Sequence, residues 1–518
     1  MPHHEGAGSP LLGERRSPEY GAVEQSAVAK PRTSFKRNLG TAEAFSIIIS
    51  VVIGSGVFTS PGSIDTNVPA PGFALLVWLI GGILAWTGDA TMAELGTAIP
   101  GEGGVQPYLQ YIFGDVFGYL AAWTWIVVII PASLGIMSIV FVESVYSALG
   151  ENNRTQGALH KLLSVLVLII FSMANGVSTK ATTRLNTFFV TAKFTAIAAT
   201  VVAGIAVVGY QLAVHDTGKL SHDWRKKPWF GYTTRLGPDG TEIDWSKLHG
   251  WEMLGYFSTA LYGALWAYSG WDKAIYFTAE LSAPARQLPL AINTAIPIII
   301  LCFIAVNTAY YVLLPWDVVS TTDSVAVTAF NHLLGPTAGL AAAFLICLSV
   351  AGALLGSAFV GSRMIVAASN KNWLPRFFGQ VGYIGLRRGS RSNTDSESES
   401  DAPLNALIFS TICSALYIVF GNFRALVTFN GLAEYTFFFL TMIGAIVLRI
   451  REPNLHRPYK PIILIPAAFA LVSGFVVARG AVFAPFQAVI LFAVWGLGLV
   501  FYWNRWWLRQ GVSLHHSE

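Results

Sequence analysis

The sequence predicts an all-α membrane protein with about 12 transmembrane helices, and three observations carry that reading. The 518-residue chain is 53% hydrophobic and only 12% charged, which leaves too few polar groups to clothe a water-soluble globule of that size. Apolar runs of about 20 residues recur along nearly its whole length, each long enough to cross a hydrocarbon core of about 30 Å. If the N-terminal tail is cytosolic, roughly two-thirds of the Lys and Arg fall on the cytosolic side, the asymmetry that an even number of spans produces.

The elements follow in order. Residues 1–38 are polar and lack the apolar core of a signal peptide, so they are expected to form a disordered cytosolic tail. Lys30 and Lys36 in it are open to modification, although most such lysines are simply solvated. Spans are expected at 41–66, 73–98, 117–148, 159–176 and 185–210, a first five-helix unit over 39–210. A long extracellular loop over 211–252 follows, and it carries the main basic residues that depart from the charge asymmetry. A second unit over 253–450 holds spans at 253–278, 289–314, 337–366, 404–421 and 424–448. Two more, at 461–479 and 484–507, occupy 451–507 before a short cytosolic tail over 508–518. Asn153-Arg154-Thr155 is a weak glycosylation signal in an outer loop. The run from Ser390 to Asp401 reads as a solvated linker open to phosphorylation.

A net charge of +4 spread over short loops argues against nucleic acid as a partner. Cys302, Cys347 and Cys413 all fall within spans and read as small core hydrophobes, so no disulfide framework, metal site or cofactor is expected. Nor is there a nucleophile elbow, zinc motif or phosphate loop to make the chain an enzyme.

Two stretches break the helical pattern. Span one contains Val52-Ile53-Gly54-Ser55-Gly56-Val57, and each glycine costs roughly 1 kcal/mol in a helix interior relative to alanine. No water satisfies backbone groups freed inside a membrane, so a break persists where it lines a cavity or holds a ligand. The simpler alternative is that Gly54 and Gly56 only let a neighbouring helix approach. Span six is interrupted at a similar depth by Trp266-Ala267-Tyr268-Ser269-Gly270-Trp271. If the two five-span units are inverted repeats, the breaks are counterparts, the arrangement that marks the central binding site of a transporter.

Unwinding leaves the amides of Ser55, Gly56 and Val57 at a helix N-terminus, where a carboxylate fits. Carbonyls near Val52 and Ile53, and near Trp266, Ala267 and Tyr268, suit an ammonium group. Together they describe an α-amino acid. Trp266, Tyr268 and Trp271 are candidates to face its side chain, although an aromatic in a membrane helix more often packs than binds. Lys193 lies about eight residues into span five, too deep to snorkel easily, and can exchange a proton or occupy the place of a coupling cation. Asp272 follows the second break, with helix capping as its plain reading and a substrate or proton role as the functional one. Its neighbour Lys273 is not expected to pair with it, because adjacent helical residues do not face each other. Glu143 and Glu434 are further acids within spans, and the sequence assigns them no role.

A set of motifs spreads over about residues 40–460. They are Ile53-Gly54-Ser55-Gly56-Val57-Phe58; Ala93-Glu94-Leu95-Gly96-Thr97-Ala98-Ile99-Pro100 with Gly103-Gly104; and Lys180-Ala181-Thr182-Thr183-Arg184 through Thr191-Ala192-Lys193. Others are Ala267-Tyr268-Ser269-Gly270-Trp271 with Pro284 to Leu290; Gly356-Ser357 through Ser362-Arg363; and Arg449 to Pro458. In these the sequence resembles the L-type amino-acid transporters of the amino acid-polyamine-organocation superfamily, and especially its fungal methionine-permease branch. The resemblance implies a leucine-transporter-type fold, five plus five helices in inverted repeat with helices eleven and twelve peripheral, and uptake of neutral amino acids. It maps the family's carboxylate-binding amides onto Ser55 and Gly56, its ammonium-binding carbonyls onto Val52 and Trp266, and its span-five lysine onto Lys193. Animal relatives join a single-span glycoprotein through a cysteine after span three. The loop from Gly150 to His160 has none, so no disulfide-linked heavy chain is expected. Ser269 and Asp272 stand where many relatives have a small residue and asparagine, which leaves specificity open and could indicate proton coupling at Asp272.

The resulting expectation is a multi-pass plasma-membrane protein with cytosolic termini that imports neutral L-amino acids, methionine foremost, by proton symport and alternating access. An amino-acid exchanger of the same fold and a nutrient receptor that binds without significant flux are its rivals. The tail after Trp507 is short for a receptor.

Overall fold

The computed structural model describes residues 40–54, 56–99, 104–150, 157–177, 179–214, 221–232, 234–236, 241–272, 281–380 and 403–514. The segments holding Lys30, Lys36, Asn153, Lys273 and the Ser390 to Asp401 run lie outside them. Span one is two helices, α1 (Thr41–Val52) and α2 (Gly56–Asp65). Helix α3 (Pro71–Ala98) opens with proline, whose missing N–H is no loss in a first turn. The amphipathic α4 (Val105–Phe113) leads into span three, built from α5 (Asp115–Thr124), a π segment Trp125–Ile129 and α6 (Ile130–Ala148). That segment has a local cause: Pro131 offers no N–H to the carbonyl of Val127, and the Tyr417 hydroxyl donates to it instead at 3.1 Å.

Helices α7 (Ala158–Val177) and α8 (Thr179–Ala213) lead to the long loop. It contains the short α9 (Asp223–Lys226) and a hairpin of β1 (Thr234–Leu236) and β2 (Glu242–Asp244), antiparallel with Arg235 opposite Ile243. Then come α10 (Gly250–Ala267), α11 (Pro284–Leu313), α12 (Trp316–Thr321), α13 (Val325–Leu334) and α14 (Pro336–Asn370). The last are α15 (Leu404–Phe420), α16 (Phe423–Arg451), α17 (Leu464–Phe483) and α18 (Pro485–Leu514). Helix α18 therefore continues through much of the tail expected over 508–518, where Leu508, Arg509 and Gln510 are good helix formers.

Among the described residues, 9 helical runs are long and apolar enough to cross a membrane, and α13 and α15 are shorter apolar helices. Val202, Ile205, Leu301, Phe344, Leu471 and Phe492 stay 64–74% exposed on the outside of the bundle. Such a surface is a liability in water and a match for lipid. The chain is an all-α, multi-pass membrane protein. In it α2 packs on α10, α1 on α11, and α3 runs along both α10 and α11. The β-hairpin marks one end of the bundle, the hairpin end; α4 and the stretch after α16 mark the other, the tail end.

Candidate functional site

Helix α1 stops where the chain turns back on itself: the Ile53 amide donates to Ile49 at 2.9 Å and the Gly54 amide to the Val52 carbonyl at 2.8 Å. Helical geometry resumes at Gly56, and there the two breaks meet. A Cβ on Gly56 would lie 2.5 Å from the Cα of Ala267, the last residue of α10. Gly54 is different: it is half-buried, and among the described residues a Cβ on it would meet nothing nearer than the carbonyl of Val52 at 4.0 Å. The glycines thus separate two roles, Gly56 permitting backbone contact and Gly54 facing open space. Ser55 between them lies outside the described residues. The first amides of α2, those of Gly56 and Val57 included, point back into this gap as at any helix N-terminus.

The second break is a closed turn. The Tyr268 amide donates to Ala264 and the Ser269 amide to Trp266, each at 3.0 Å, and Gly270 adopts φ +106°, a conformation that favours glycine. Of the carbonyls near Trp266, Ala267 and Tyr268 that unwinding was expected to leave without intrahelical partners, that of Trp266 accepts from the turn; one lone pair remains for a ligand. Trp266 and Ser269 are half-buried, whereas Ala267, Tyr268, Gly270 and Trp271 are buried. The Tyr268 ring packs against Trp78 of α3 at 6.1 Å and Phe303 of α11 at 4.8 Å. Trp271 packs against Phe438 of α16 at 4.7 Å and Phe469 of α17 at 5.8 Å. Of the three expected aromatics, Trp266 keeps an accessible face, and the other two wedge the break between its neighbours.

Lys193 is only 5% exposed. One turn before it, Phe189 lies against Gly352 of α14, so this face of α8 is turned into the protein. Farther along α8, Ala196 and Thr200 line an apolar cavity of about 240 Å³ with Phe58 of α2, Ala326 and Phe330 of α13, and Ile346 of α14. Asp272 is also buried. Beside it in the fold is a residue that sequence reasoning missed, Asp89 of α3, whose neighbour Gly88 lies against the Trp271 ring. It is fully buried, and neither carboxylate oxygen has a hydrogen-bond partner among the described residues. An acid inside an apolar span was the signal that could have found it.

The family model described as amino acid permease matches residues 39–502. The chain belongs to this family. It is similar to the b(0,+)-type amino acid transporter 1 of Homo sapiens, 30% identical over 493 residues that cover 95% of this chain and 92% of the relative. It is 26% identical to the Asc-type amino acid transporter 1 of Mus musculus over 488 residues, 94% of this chain and 84% of the relative. The large neutral amino acids transporter small subunit 2 of Homo sapiens is 28% identical over 438 residues, 85% and 74% of the two chains. The permease is an amino acid transporter of the L-type group and not an enzyme.

The permease is tied at each end by buried ions, of which the sequence had marked Glu94, Arg449 and Arg457 as motif residues and the hairpin loop only for its departure from charge sidedness. At the hairpin end, Asp65 closes α2 and accepts from Arg235 of β1 and the Tyr311 hydroxyl, each at 2.8 Å. Beside it Thr66 donates to the Ser320 carbonyl at 2.6 Å, and Arg424 of α16 donates to Thr66 at 2.6 Å and pairs with Asp323 at 2.7 Å. At the tail end, Glu94 of α3 accepts both Nε, at 2.9 Å, and Nη2 of Arg449, with Arg457 at 3.3 Å. Arg449 also donates to the Pro461 carbonyl at 2.8 Å, and Arg451 to that of Ile112 at 3.0 Å. The Tyr111 hydroxyl on α4 donates to Glu452 at 2.9 Å, a bond that pushes its proton affinity above the ordinary tyrosine value.

Proposed function

We propose that the permease is a plasma-membrane symporter that imports neutral L-amino acids, methionine foremost, with a proton, by alternating access. The observation that carries this reading is the junction of the two breaks at Gly56 and Ala267. It puts the amides that begin α2 beside the carbonyls that end α10, a positive and a negative pole a few ångströms apart, as a zwitterionic amino acid requires. Val52, Ile53, Gly54, Ser55 and Gly56 on one side, with Trp266, Ala267 and Ser269 on the other, form the site. Gly54 leaves room for the α-carbon, and the exposed face of Trp266 meets the cargo's side chain. Tyr268, Gly270 and Trp271 hold the second break in shape.

Lys193 and Asp272 are the groups that couple transport to the proton. The five-helix units 39–210 and 253–450 are inverted repeats that rock about the site, with 451–507 peripheral. Both termini are cytosolic, which puts the hairpin end outside. With cysteine only at positions 302, 347 and 413, the permease works without a disulfide-linked heavy chain.

Purified permease in vesicles, given labelled methionine with a pH gradient, a sodium gradient or an internal amino acid in turn, tests the reading. Accumulation is expected with the inward proton gradient alone. Stimulation only by internal amino acid would replace the symporter with an exchanger, and binding without flux would leave a receptor.

A further inference from the structure

Of the two acids of α3, Glu94 is paired with Arg449 and Asp89 is left without a task, which its surroundings supply. It lies within the apolar run, nine residues before the helix ends at Ala98, about 14 Å at helical rise. An ionised carboxylate without a partner in a membrane interior is among the most unfavourable arrangements a protein can hold, and a carboxyl that carries a proton is not. A proton is therefore the ligand assigned to these two oxygens, which have no hydrogen-bond partner among the described residues. Gly88 fixes the position: a Cβ there would lie 2.6 Å from the Trp271 ring and 2.7 Å from that of Phe469, so the backbone of α3 runs against the residue before Asp272. Because Trp271 is the wedge of the second break, any change in that break moves Asp272 relative to Asp89.

The other ionisable groups on the elements packed against α3 have identifiable places. Asp65 on α2 holds Arg235, Arg479 on α17 donates to the Trp251 carbonyl, and Arg449 on α16 pairs with Glu94. Nearer the break are Glu434 and Tyr435 on α16, Tyr262 and Tyr268 with α10, and Cys302 on α11. The Tyr435 ring packs against Phe438 at 5.3 Å and Phe469 at 6.2 Å, the same two rings that hold Trp271.

Resting on the proton-symport reading, we propose that Asp89 and Asp272 form the proton-carrying carboxyl pair of the permease. Asp89 takes and yields the transported proton, Asp272 sets how tightly it is held, and Lys193 keeps the coupling role proposed above. In the loaded state the O–H bond of Asp89 is intact beside Asp272. When the break relaxes and water enters, that bond gives its proton to water and leaves a carboxylate, so one proton moves and no other bond changes.

The test is uptake of labelled methionine by purified permease in vesicles, with and without a pH gradient, together with infrared spectroscopy of the carboxyl band. In the parent, a gradient of one pH unit is expected to change uptake by up to about tenfold, the driving force of one unit. In Asp89→Asn the ratio of uptake with and without the gradient falls to about one, whatever the absolute rate, and the band of a protonated buried carboxyl disappears. Asp89→Glu, which keeps an exchangeable proton, restores both. In Asp272→Asn the response to the gradient is kept, and the pH profile of uptake is displaced from that of the parent. Asp89→Asn that still responds to the gradient, or whose difference spectrum against the parent shows no lost buried-carboxyl component, overturns the pair. A parent with no response to the gradient overturns the symport reading instead, and a band then lost in Asp89→Asn identifies a resident proton without a transport role.

Discussion

The two ends of the permease are both closed by buried arginine–carboxylate clusters, yet they fasten different things. At the hairpin end the carboxylate is Asp65, the last residue of α2, and the residue beside it, Thr66, is held by Ser320 and Arg424. Helix α2 is the half-helix that begins at the first break, and Gly62 on it lies so close to the Thr322 carbonyl that a Cβ would overlap it. At the tail end Glu94, Arg449 and Arg457 stand on α3, α16 and the stretch after α16, none of which is interrupted at the site. The same chemistry is therefore a latch where it holds a broken helix and a brace where it joins continuous ones. On the alternating-access reading proposed above, the tie on the broken helix is the one expected to release first.

Breaking the brace has the largest expected effect. Arg449→Ala leaves Glu94 buried with Arg457 alone at 3.3 Å, and removing one partner of a buried pair costs about 3–5 kcal/mol. Thermal unfolding in detergent should show a large loss of stability, with little folded protein at growth temperature. Stability close to the parent, with transport altered instead, would make the tail end a gate as well and erase the distinction.

Breaking the latch is expected to change conformation before stability. Arg235→Ala takes one of two donors from Asp65 and leaves the Tyr311 hydroxyl. When the hairpin end opens, water reaches the carboxylate, so the penalty falls on the closed state alone. A hydrogen bond to a charged group contributes about 1.5–3 kcal/mol, which translates to a rise of roughly tenfold or more in the open population. A cysteine placed at Ser63, buried on α2, should react correspondingly faster with an aqueous thiol reagent, while the melting temperature moves little. Unchanged labelling together with a collapse of stability would make Arg235 a structural residue like Arg449.

How much of this was legible in the sequence follows from how local each feature is. The spans and the break at Gly54 to Gly56 are properties of a few successive residues, so the apolar runs and the paired glycines announce them. Which glycine packs and which faces open space depends on Ala267, more than two hundred positions away, and no local pattern holds that information. The aromatics divide for the same reason: Trp266 and Trp271 look alike in sequence, and only Phe438 and Phe469 make one of them core. Asp89 was visible as a residue type, and its proximity to Asp272 was not. Arg235 read as an exception to charge sidedness in a loop, because its partner lies 170 residues away.

The smallest expected effect comes from the same hairpin and sharpens what that hairpin is for. Asp244 on β2 pairs with Lys247 at 2.8 Å in the open, the lysine 83% exposed. The hydrogen bond from Lys247 draws the Asp244 carboxyl down to about 2. A depressed carboxyl contributes its stability above the unfolded value near 3.9 and loses it as pH falls through the folded one, so the contribution is constant across the working range of pH. Screening by solvent keeps it slight throughout. Lys247→Ala should accordingly leave melting temperature, Ser63→Cys labelling and uptake unchanged within error above pH 5, about one unit over the unfolded value. Two ion pairs on one hairpin would then differ from each other only in what lies beneath them: Lys247 holds its own turn, and Arg235 reaches down to the end of the half-helix α2.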